Sequence, residues 1–193
     1  MTRSPVALLL ILLAATLPPL LSACAPVIVA GAAGAALVAT DRRSAGAQLD
    51  DTTIETKLLT TVAGRYGDTV HFNVTSYNGM VLLTGEVPDA AVRADIYALA
   101  RGTERVRGVH DELVIGPTTD LSARTNDSYI TSKVKSRFVE SDKFSTTHVK
   151  VVTERSVVYL MGLVSRVEAD DAARIASTTS GVVRVVKLFE ITG

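Results

Sequence analysis

Apolar positions along the chain fall into two matching sets. Met80–Val87 and Val157–Val164 are apolar runs of strand length, and the second begins 77 residues after the first. A continuous apolar run this short predicts a strand that is covered on both faces or packed under helices. Because one run repeats the other, the pattern predicts a tandem repeat of one folding unit.

Each apolar run has a glycine as its sixth residue, Gly85 in the first and Gly162 in the second. Glycine weakens a strand interior, so it usually marks a bulge or a close approach of another backbone. The neighbouring sequence lacks the glycine spacing of a phosphate-binding loop. We therefore predict that both glycines are structural.

The first repeat begins with a helical pattern. Asp50–Thr53 offer cap residues and an acidic start, and Ile54, Leu58 and Val62 follow at a spacing of four. The later elements are a strand at His71–Thr75, a hairpin turn at Asn78-Gly79, the strand Met80–Val87, a helix from Pro88-Asp89 to about Arg101, and a strand at Val109–Ile115. The predicted order is helix, strand, strand, helix, strand.

The second repeat shows the same order. Its first helix carries Ile130, Val134 and Phe138, which lie 76 residues after their counterparts. The later elements are a hairpin of Val149–Val152 and Val157–Val164 around Glu154-Arg155, a helix at Glu168–Thr178, and a strand at Val185–Ile191. We predict an α+β fold of two tandem αββαβ domains, each a three-stranded mixed sheet with two helices on one face. Because a unit of about 70 residues has a modest core, the two units should pack together.

The N-terminus has the pattern of a secretory signal. Residues 1–23 contain Arg3, an apolar stretch at Val6–Leu17, and small residues before the only cysteine, Cys24. The stretch is short and ends at Pro18-Pro19, which disfavours an uncleaved membrane helix. A lone cysteine forms no internal disulfide, so a buried thiol and an intermolecular bridge stay open as roles for Cys24.

Leu21–Cys24, LSAC, resembles the lipobox of bacterial lipoproteins. The resemblance implies that Cys24 receives a diacylglycerol, that the preceding peptide is removed, and that the new amino terminus is acylated. Several acyl chains anchor stably where one is marginal. Ala25 follows the cysteine in place of the aspartate that resembles an inner-membrane retention signal, which favours the outer membrane. Residues 24–49 are interpreted as a tether; 25–40 could also lie along a membrane or a protein groove.

Charge separates the two repeats. The chain has 193 residues, 47% of them hydrophobic and 21% charged, and its formal net charge is zero. This balance argues against a nucleic-acid binder. Residues 50–116 carry six Lys/Arg and ten Asp/Glu, a net charge of −4, whereas residues 117–193 carry eleven and nine, a net charge of +2. Local surface charge should therefore decide the partners.

The repeat unit and its strand glycine resemble the BON domain, a small αββαβ module of bacterial envelope proteins. Thr40–Asp51, Asn126–Arg137 and Val157–Ser177 are similar to the dual BON-domain outer-membrane lipoproteins. On this resemblance the first domain is residues 50–116, the linker 117–124 and the second domain 125–193. It implies a non-enzymatic protein, facing the periplasm, that binds anionic phospholipid through the first helix of its second domain. It also implies a role in outer-membrane integrity, including at division sites.

The residues of that helix fit such a role. At about 100° per residue, Ile130, Val134 and Phe138 form the core stripe, while Tyr129 and Val139 fall on the outer side. The nearby cations are Lys133, Lys135 and Arg137. An amphipathic aromatic, an aliphatic residue and cations are the mixture expected at a lipid headgroup layer. We predict these five residues as the phospholipid-binding set: Tyr129, Lys133, Lys135, Arg137 and Val139.

The first repeat provides an internal control. Its matching helix has Thr53 at the position of Tyr129, Leu59 at that of Lys135, Thr61 at that of Arg137 and Ala63 at that of Val139. The competing interpretation is that Tyr129 and Val139 pack against the other domain and that the lysines are an ordinary solvated face. The family position that matches Tyr129 often holds tryptophan, a stronger interfacial anchor.

No constellation of catalytic or metal-binding residues is recognisable. His71 and His148 begin matching strands and His110 begins another, but they lack short ligand spacing and no second cysteine is present. Asp50-Asp51 and Asp170-Asp171 are interpreted as surface charges next to helices. We predict no enzyme, no metal and no cofactor. The alternative to lipid binding is a protein-interaction adaptor for envelope assembly, cell-wall or division proteins, in which the same helix or a sheet edge docks a partner.

Overall fold

A computed structural model of the chain describes residues 41–193. The predicted signal peptide, Cys24 and residues 25–40 of the tether lie outside the described residues. The first repeat comprises α1 (Ala45–Tyr66), β1 (His71–Tyr77), β2 (Met80–Val87), α2 (Ala90–Arg101) and β3 (Gly108–Ile115). The second comprises α3 (Leu121–Ser141), β4 (Val149–Glu154), β5 (Val157–Val164), α4 (Arg166–Ser177) and β6 (Arg184–Ile191). The predicted αββαβ order is confirmed in both.

Each repeat forms a three-stranded mixed sheet. The two apolar runs, β2 and β5, are the central strands. Each pairs antiparallel with the preceding strand and parallel with the last strand of its repeat. Both helices of a repeat cover the same face of its sheet, and each repeat has one hydrophobic core between helices and sheet. The helix residues of these cores are Ile54, Leu58, Val62, Ile96 and Ala100 against β2, and Ile130, Val134, Phe138, Ala172 and Ile175 against β5.

The opposite faces of the two sheets pack against each other. Tyr77 and Leu82 from the first repeat and Tyr159 and Met161 from the second form one buried cluster. Alternate residues of a strand point to opposite faces, so the central strands are mostly apolar because one face meets helices and the other meets the second sheet. The predicted packing of the two units together is confirmed.

Gly85 and Gly162 lie where another backbone comes close. A Cβ on Gly85 would lie 2.0 Å from the carbonyl oxygen of His71, and a Cβ on Gly162 would lie 2.3 Å from that of His148. Gly85 also has a φ of 116°, in the region that favours glycine. Any side chain at either position would displace the neighbouring strand.

The first helix starts earlier than the sequence predicted. It begins at Ala45, where the Ser44 hydroxyl accepts a hydrogen bond from the amide of Ala47. Asp51 is therefore inside the helix, and the prediction of a cap and surface charge at this position was wrong. Its carboxylate is buried and accepts hydrogen bonds from the backbone amides of Asn78 and Gly79, at 2.7 and 2.8 Å.

The second repeat needs the same corrections. Helix α3 begins at Leu121 after the cap residue Asp120, so residues 121–124 of the predicted linker are helical. Helix α4 begins at Arg166 with a capping box between Ser165 and Glu168, two residues before the predicted start. Charged and threonine-rich stretches offer several cap residues in a row, and periodicity alone does not choose among them.

The second hairpin turn is also displaced by one residue. Its central residues are Arg155 and Ser156, both with positive φ, rather than Glu154 and Arg155. Asp127, the counterpart of Asp51, accepts hydrogen bonds from both turn amides at 2.8 Å.

Among the helices described for residues 41–193, none combines the length and the apolar character that a membrane span requires.

Candidate functional site: the outer face of helix α3

The rotation of α3 about its axis is fixed by its core stripe. Ile130, Val134 and Phe138 are fully buried, and the Phe138 ring meets the Phe144 ring edge-on with centroids 5.1 Å apart. These contacts leave the opposite face of the helix directed away from the sheet. The burial of these three residues confirms the prediction, from the helical wheel, of which side of α3 faces the core.

The outer face carries large apolar side chains in solvent. Tyr129 is 61% exposed and Val139 is 67% exposed. The competing interpretation, that they pack against the other domain, is therefore wrong. Leu121 is 77% exposed and lies about five helical turns before Val139, on the same side of the helix. Sequence reasoning missed Leu121 because it placed this residue in the linker.

The cations of this helix have different environments. Lys135 is exposed, and its ammonium makes no hydrogen bond or ion pair with residues 41–193. Lys133 lies over the Tyr129 ring, with Nζ 4.6 Å from the ring centroid, and donates a hydrogen bond to the carbonyl of Ser180. This cation–π contact holds the Tyr129 ring at the edge of the outer face.

Arg137 points in a different direction. Its guanidinium donates to the carbonyl oxygen of Ile175 at 2.9 Å and to the hydroxyl of Thr179 at 2.8 Å. Both acceptors belong to the C-terminal end of α4 and the turn after it, where helix carbonyls lack partners within the helix. The structure therefore places Lys133 with Tyr129 and Lys135 with Val139, but it directs Arg137 to the end of α4.

The chain enters the first domain beside this face. Arg42 donates to both carboxylate oxygens of Glu168, at 2.7 and 2.9 Å, and to the carbonyl of Leu163 at 2.9 Å. Arg43 pairs with Asp51 at 2.8 Å and lies over the Tyr77 ring, 4.1 Å from its centroid. These contacts fasten the last residues of the predicted tether to both repeats.

A cavity of about 310 Å³ lies between Arg43 and the outer face of α3. Arg43 and Tyr77 line one side, and Lys135 and Val139 of α3 line the other. Arg43, near the start of the described residues, therefore lies next to the outer face of α3. Sequence reasoning could not find this neighbourhood, because it depends on how the two repeats pack.

The matching helix of the first repeat differs in structure as well as in sequence. The hydroxyls of Thr53 and Thr61 donate to carbonyls of their own helix, those of Leu49 and Lys57, at 2.8 and 2.7 Å. Leu59 occupies the place of Lys135 and is exposed. Among the described helices, α3 alone combines an exposed tyrosine, an exposed valine and an unpaired lysine at these matched positions.

One cluster of metal-binding residue types lies elsewhere. Ligand atoms of His71, Glu86 and Glu154 are all within 4.8 Å of one another at the seam between the repeats. The sequence prediction of no metal rested on short spacing along the chain, and these three residues come from three different strands. Spacing alone gave no signal for such a cluster.

Comparison with known proteins identifies the family of the chain and several relatives. The sequence profile of the BON domain matches residues 50–117 and 126–193. The chain is 41% identical over 157 residues to the outer membrane lipoprotein DolP of Haemophilus influenzae, covering 80% of this chain and 81% of that protein. It is 34% identical over 151 residues to the 21 kDa hemolysin of Actinobacillus pleuropneumoniae, covering 77% and 78%. It is 28% identical over 149 residues to the osmotically-inducible protein Y of Escherichia coli, covering 75% and 74%.

Proposed function

The chain belongs to the family of DolP-like outer-membrane lipoproteins with two BON domains, and on that premise we propose that the outer face of α3 binds anionic phospholipid. Cys24 is the proposed lipid attachment site, with residues 1–23 removed as a signal peptide. The bound protein faces the periplasm and supports the integrity of the membrane. The observation that carries the proposal is the exposure of Tyr129 and Val139 around the unpaired Lys135.

The chemistry of this face suits a headgroup layer. Tyrosine places an apolar ring and a polar hydroxyl at the boundary between acyl chains and water, and Val139 adds aliphatic surface. Lys135 and Lys133 supply positive charge, each contributing about 1 kcal/mol near an anionic surface. Two lysines and two apolar side chains bind weakly by themselves, so the proposed acyl anchor supplies most of the affinity.

The position of the tether end supports a combined mechanism. Cys24 and Asp41 are 17 positions apart in sequence, and a chain of that length spans at most about 60 Å. An anchor at Cys24 keeps α3 close to the membrane surface, which raises its effective concentration there. Arg42 and Arg43 hold the other end of this segment beside Lys135 and Val139. Anchor and helix can thus act on the same leaflet.

The test separates the helix from the anchor. A fragment of residues 41–193 contains both complete cores and lacks Cys24. Its flotation is measured with vesicles of phosphatidylcholine alone and with vesicles that also contain phosphatidylglycerol and cardiolipin. We expect flotation only with the anionic vesicles, at low salt, and its loss in Tyr129→Glu and in Lys135→Glu.

The first repeat supplies the matched control. Lys57→Glu makes the same charge change on an exposed lysine of α1 and should leave flotation unchanged. If Lys57→Glu reduces flotation as much as Lys135→Glu, net charge rather than the α3 face is responsible. Absence of flotation in the unaltered fragment would reject direct lipid binding by α3 and favour the protein-adaptor function, with Cys24 as the remaining attachment.

A further inference from the structure

The seam between the two repeats contains a histidine and two buried glutamates. His71 begins β1, and Glu86 lies opposite it in register near the end of β2. Glu154 ends β4 and reaches the same place from the second repeat. Glu86 is fully buried and Glu154 is 6% exposed. Carboxylates are rarely buried to this extent unless they are paired or bind a metal.

The ligand atoms lie close enough together to share one ion after small shifts, since all are within 4.8 Å of one another. Nδ1 of His71 lies 2.9 Å from Oε2 of Glu86 and 3.8 Å from Oε1 of Glu154. Zinc binds imidazole nitrogen and carboxylate oxygen at about 2.0–2.2 Å, which puts neighbouring atoms of a tetrahedron about 3.3–3.6 Å apart. We propose that His71, Glu86 and Glu154 bind one divalent transition-metal ion of the zinc class, which links the two BON domains.

Glu154 presents a free ligand atom to this site. Its Oε2 accepts a hydrogen bond from the Asn73 amide at 3.0 Å, whereas Oε1 accepts none from residues 41–193 and faces His71. The Asn73 amide nitrogen also lies 3.2 Å from Nε2 of His71. Once Nδ1 binds a metal, Nε2 carries the proton, and rotation of the Asn73 amide presents its oxygen to Nε2 at the expense of its bond to Oε2 of Glu154. Such an outer partner fixes the ring of a metal-binding histidine.

The other glutamate is held by separate contacts. Both oxygens of Glu86 are bonded by Thr119, through the backbone amide at 3.0 Å and through the hydroxyl. These bonds hold both carboxylate oxygens of Glu86 in place before a metal arrives.

A route for the ion reaches the cluster from solvent. A cavity of about 420 Å³ is lined by His71, Asn73, Asp127 and Glu154, among others. It offers a place for a water molecule as the fourth ligand. Around it, the carboxylates of Glu86, Glu154 and Asp127 outnumber the guanidinium groups of Arg124 and Arg155 by one, which favours a cation.

The competing arrangement has no metal, and His71 is hydrogen-bonded to Glu86 beside Glu154. The two arrangements differ in whether added zinc binds.

The repeat provides a natural comparison. The positions that match His71, Glu86 and Glu154 are His148, Leu163 and Tyr77, which lack both carboxylates. There the seam is occupied by the N-terminal segment, since Arg42 bonds the Leu163 carbonyl and Arg43 covers the Tyr77 ring. The proposed metal site is therefore confined to one end of the seam.

The proposal is independent of lipid binding, and zinc alone tests it. The full chain in detergent is stripped with a chelator and titrated with Zn²⁺ by calorimetry, and its Tm is measured with and without zinc. We expect one zinc ion per chain and a higher Tm with zinc. His71→Gln and Glu154→Gln should weaken zinc binding more than ~10-fold. His148→Gln, the matched control, should bind as the unaltered chain does.

Circular dichroism checks the fold of each variant. Should His71→Gln fail to fold, nitrogen NMR of the unaltered chain decides, because zinc must shift Nδ1 of His71 and leave His110 and His148 unchanged. Absence of stoichiometric zinc binding would overturn the proposal in favour of the hydrogen-bonded arrangement without a metal. Zinc binding of equal strength in His71→Gln and Glu154→Gln would overturn it as well, since the ion would then lie elsewhere.

Discussion

Asp51 and Asp127 hold the hairpin turns of the two repeats in the same way. Each lies inside the first helix of its repeat, is buried, and accepts hydrogen bonds from the backbone amides of both turn residues. In the first repeat the turn is Asn78-Gly79, which readily adopts positive φ. In the second repeat the turn is Arg155-Ser156, and these residues adopt positive φ only at a cost in free energy. The second turn therefore depends more on its aspartate.

Replacement of Asp127 by alanine should destabilise the second repeat. The change leaves the amides of Arg155 and Ser156 without their charged acceptor, and each such bond contributes about 1.5–3 kcal/mol. We expect a loss of about 3 kcal/mol in the free energy of unfolding, measured by urea denaturation. Asp127→Asn, which keeps one acceptor oxygen, should lose less. An alanine variant as stable as the unaltered chain would show that the bonds contribute nothing net.

Substitution of Ser156 by glycine should stabilise the chain. Ser156 has a φ of 62°, where a non-glycine residue costs about 1 kcal/mol. Glycine removes that strain and leaves the amide bonded to Asp127, so we expect a gain of about 0.5–1 kcal/mol in urea denaturation. The converse change, Gly79→Ser, should destabilise, because a Cβ there would lie 2.8 Å from the carbonyl oxygen of Arg105. A loss of stability in Ser156→Gly would contradict the interpretation.

The ion pair of Arg42 and Glu168 should make stability depend on pH in the acid range. Hydrogen bonds from Arg42 are the main reason that the pKa of Glu168 falls to about 2. A carboxyl whose pKa is lowered on folding contributes stability above its unfolded pKa of about 4.3, and that contribution is lost as pH falls towards 2. The pair should therefore stabilise the chain fully at about pH 6 and little at about pH 2.

Arg42→Ala measures this contribution. The variant should be less stable by about 1 kcal/mol near pH 6, and the difference should shrink between about pH 4.5 and pH 2, as followed by urea denaturation. A difference that stays constant down to about pH 2 would mean that Arg42 acts through its bond to the Leu163 carbonyl instead.

The limits of prediction from the sequence follow from the kind of contact involved. The strands and the core stripes of Ile54 and Ile130 were predicted because periodic burial is a local signal. The place of Asp51 was not, because its partners lie 27 and 28 residues away in the hairpin turn. The same holds for Arg137, which flanks the core stripe on the helical wheel and whose acceptors come from the end of α4 and the turn after it.

Alanine variants of Arg137 and Lys135 should therefore have different effects, the first on stability and the second on lipid binding. Arg137→Ala leaves the Ile175 carbonyl and the Thr179 hydroxyl without their donor, so we expect a loss of about 2 kcal/mol in urea denaturation and little change in vesicle flotation below the unfolding temperature. Lys135→Ala removes an unpaired exposed cation, so stability should stay within about 0.5 kcal/mol while flotation with anionic vesicles falls. The opposite result, in which folded Arg137→Ala loses flotation and Lys135→Ala keeps it, would move the lipid contact from the outer face of α3 to the seam between α3 and α4.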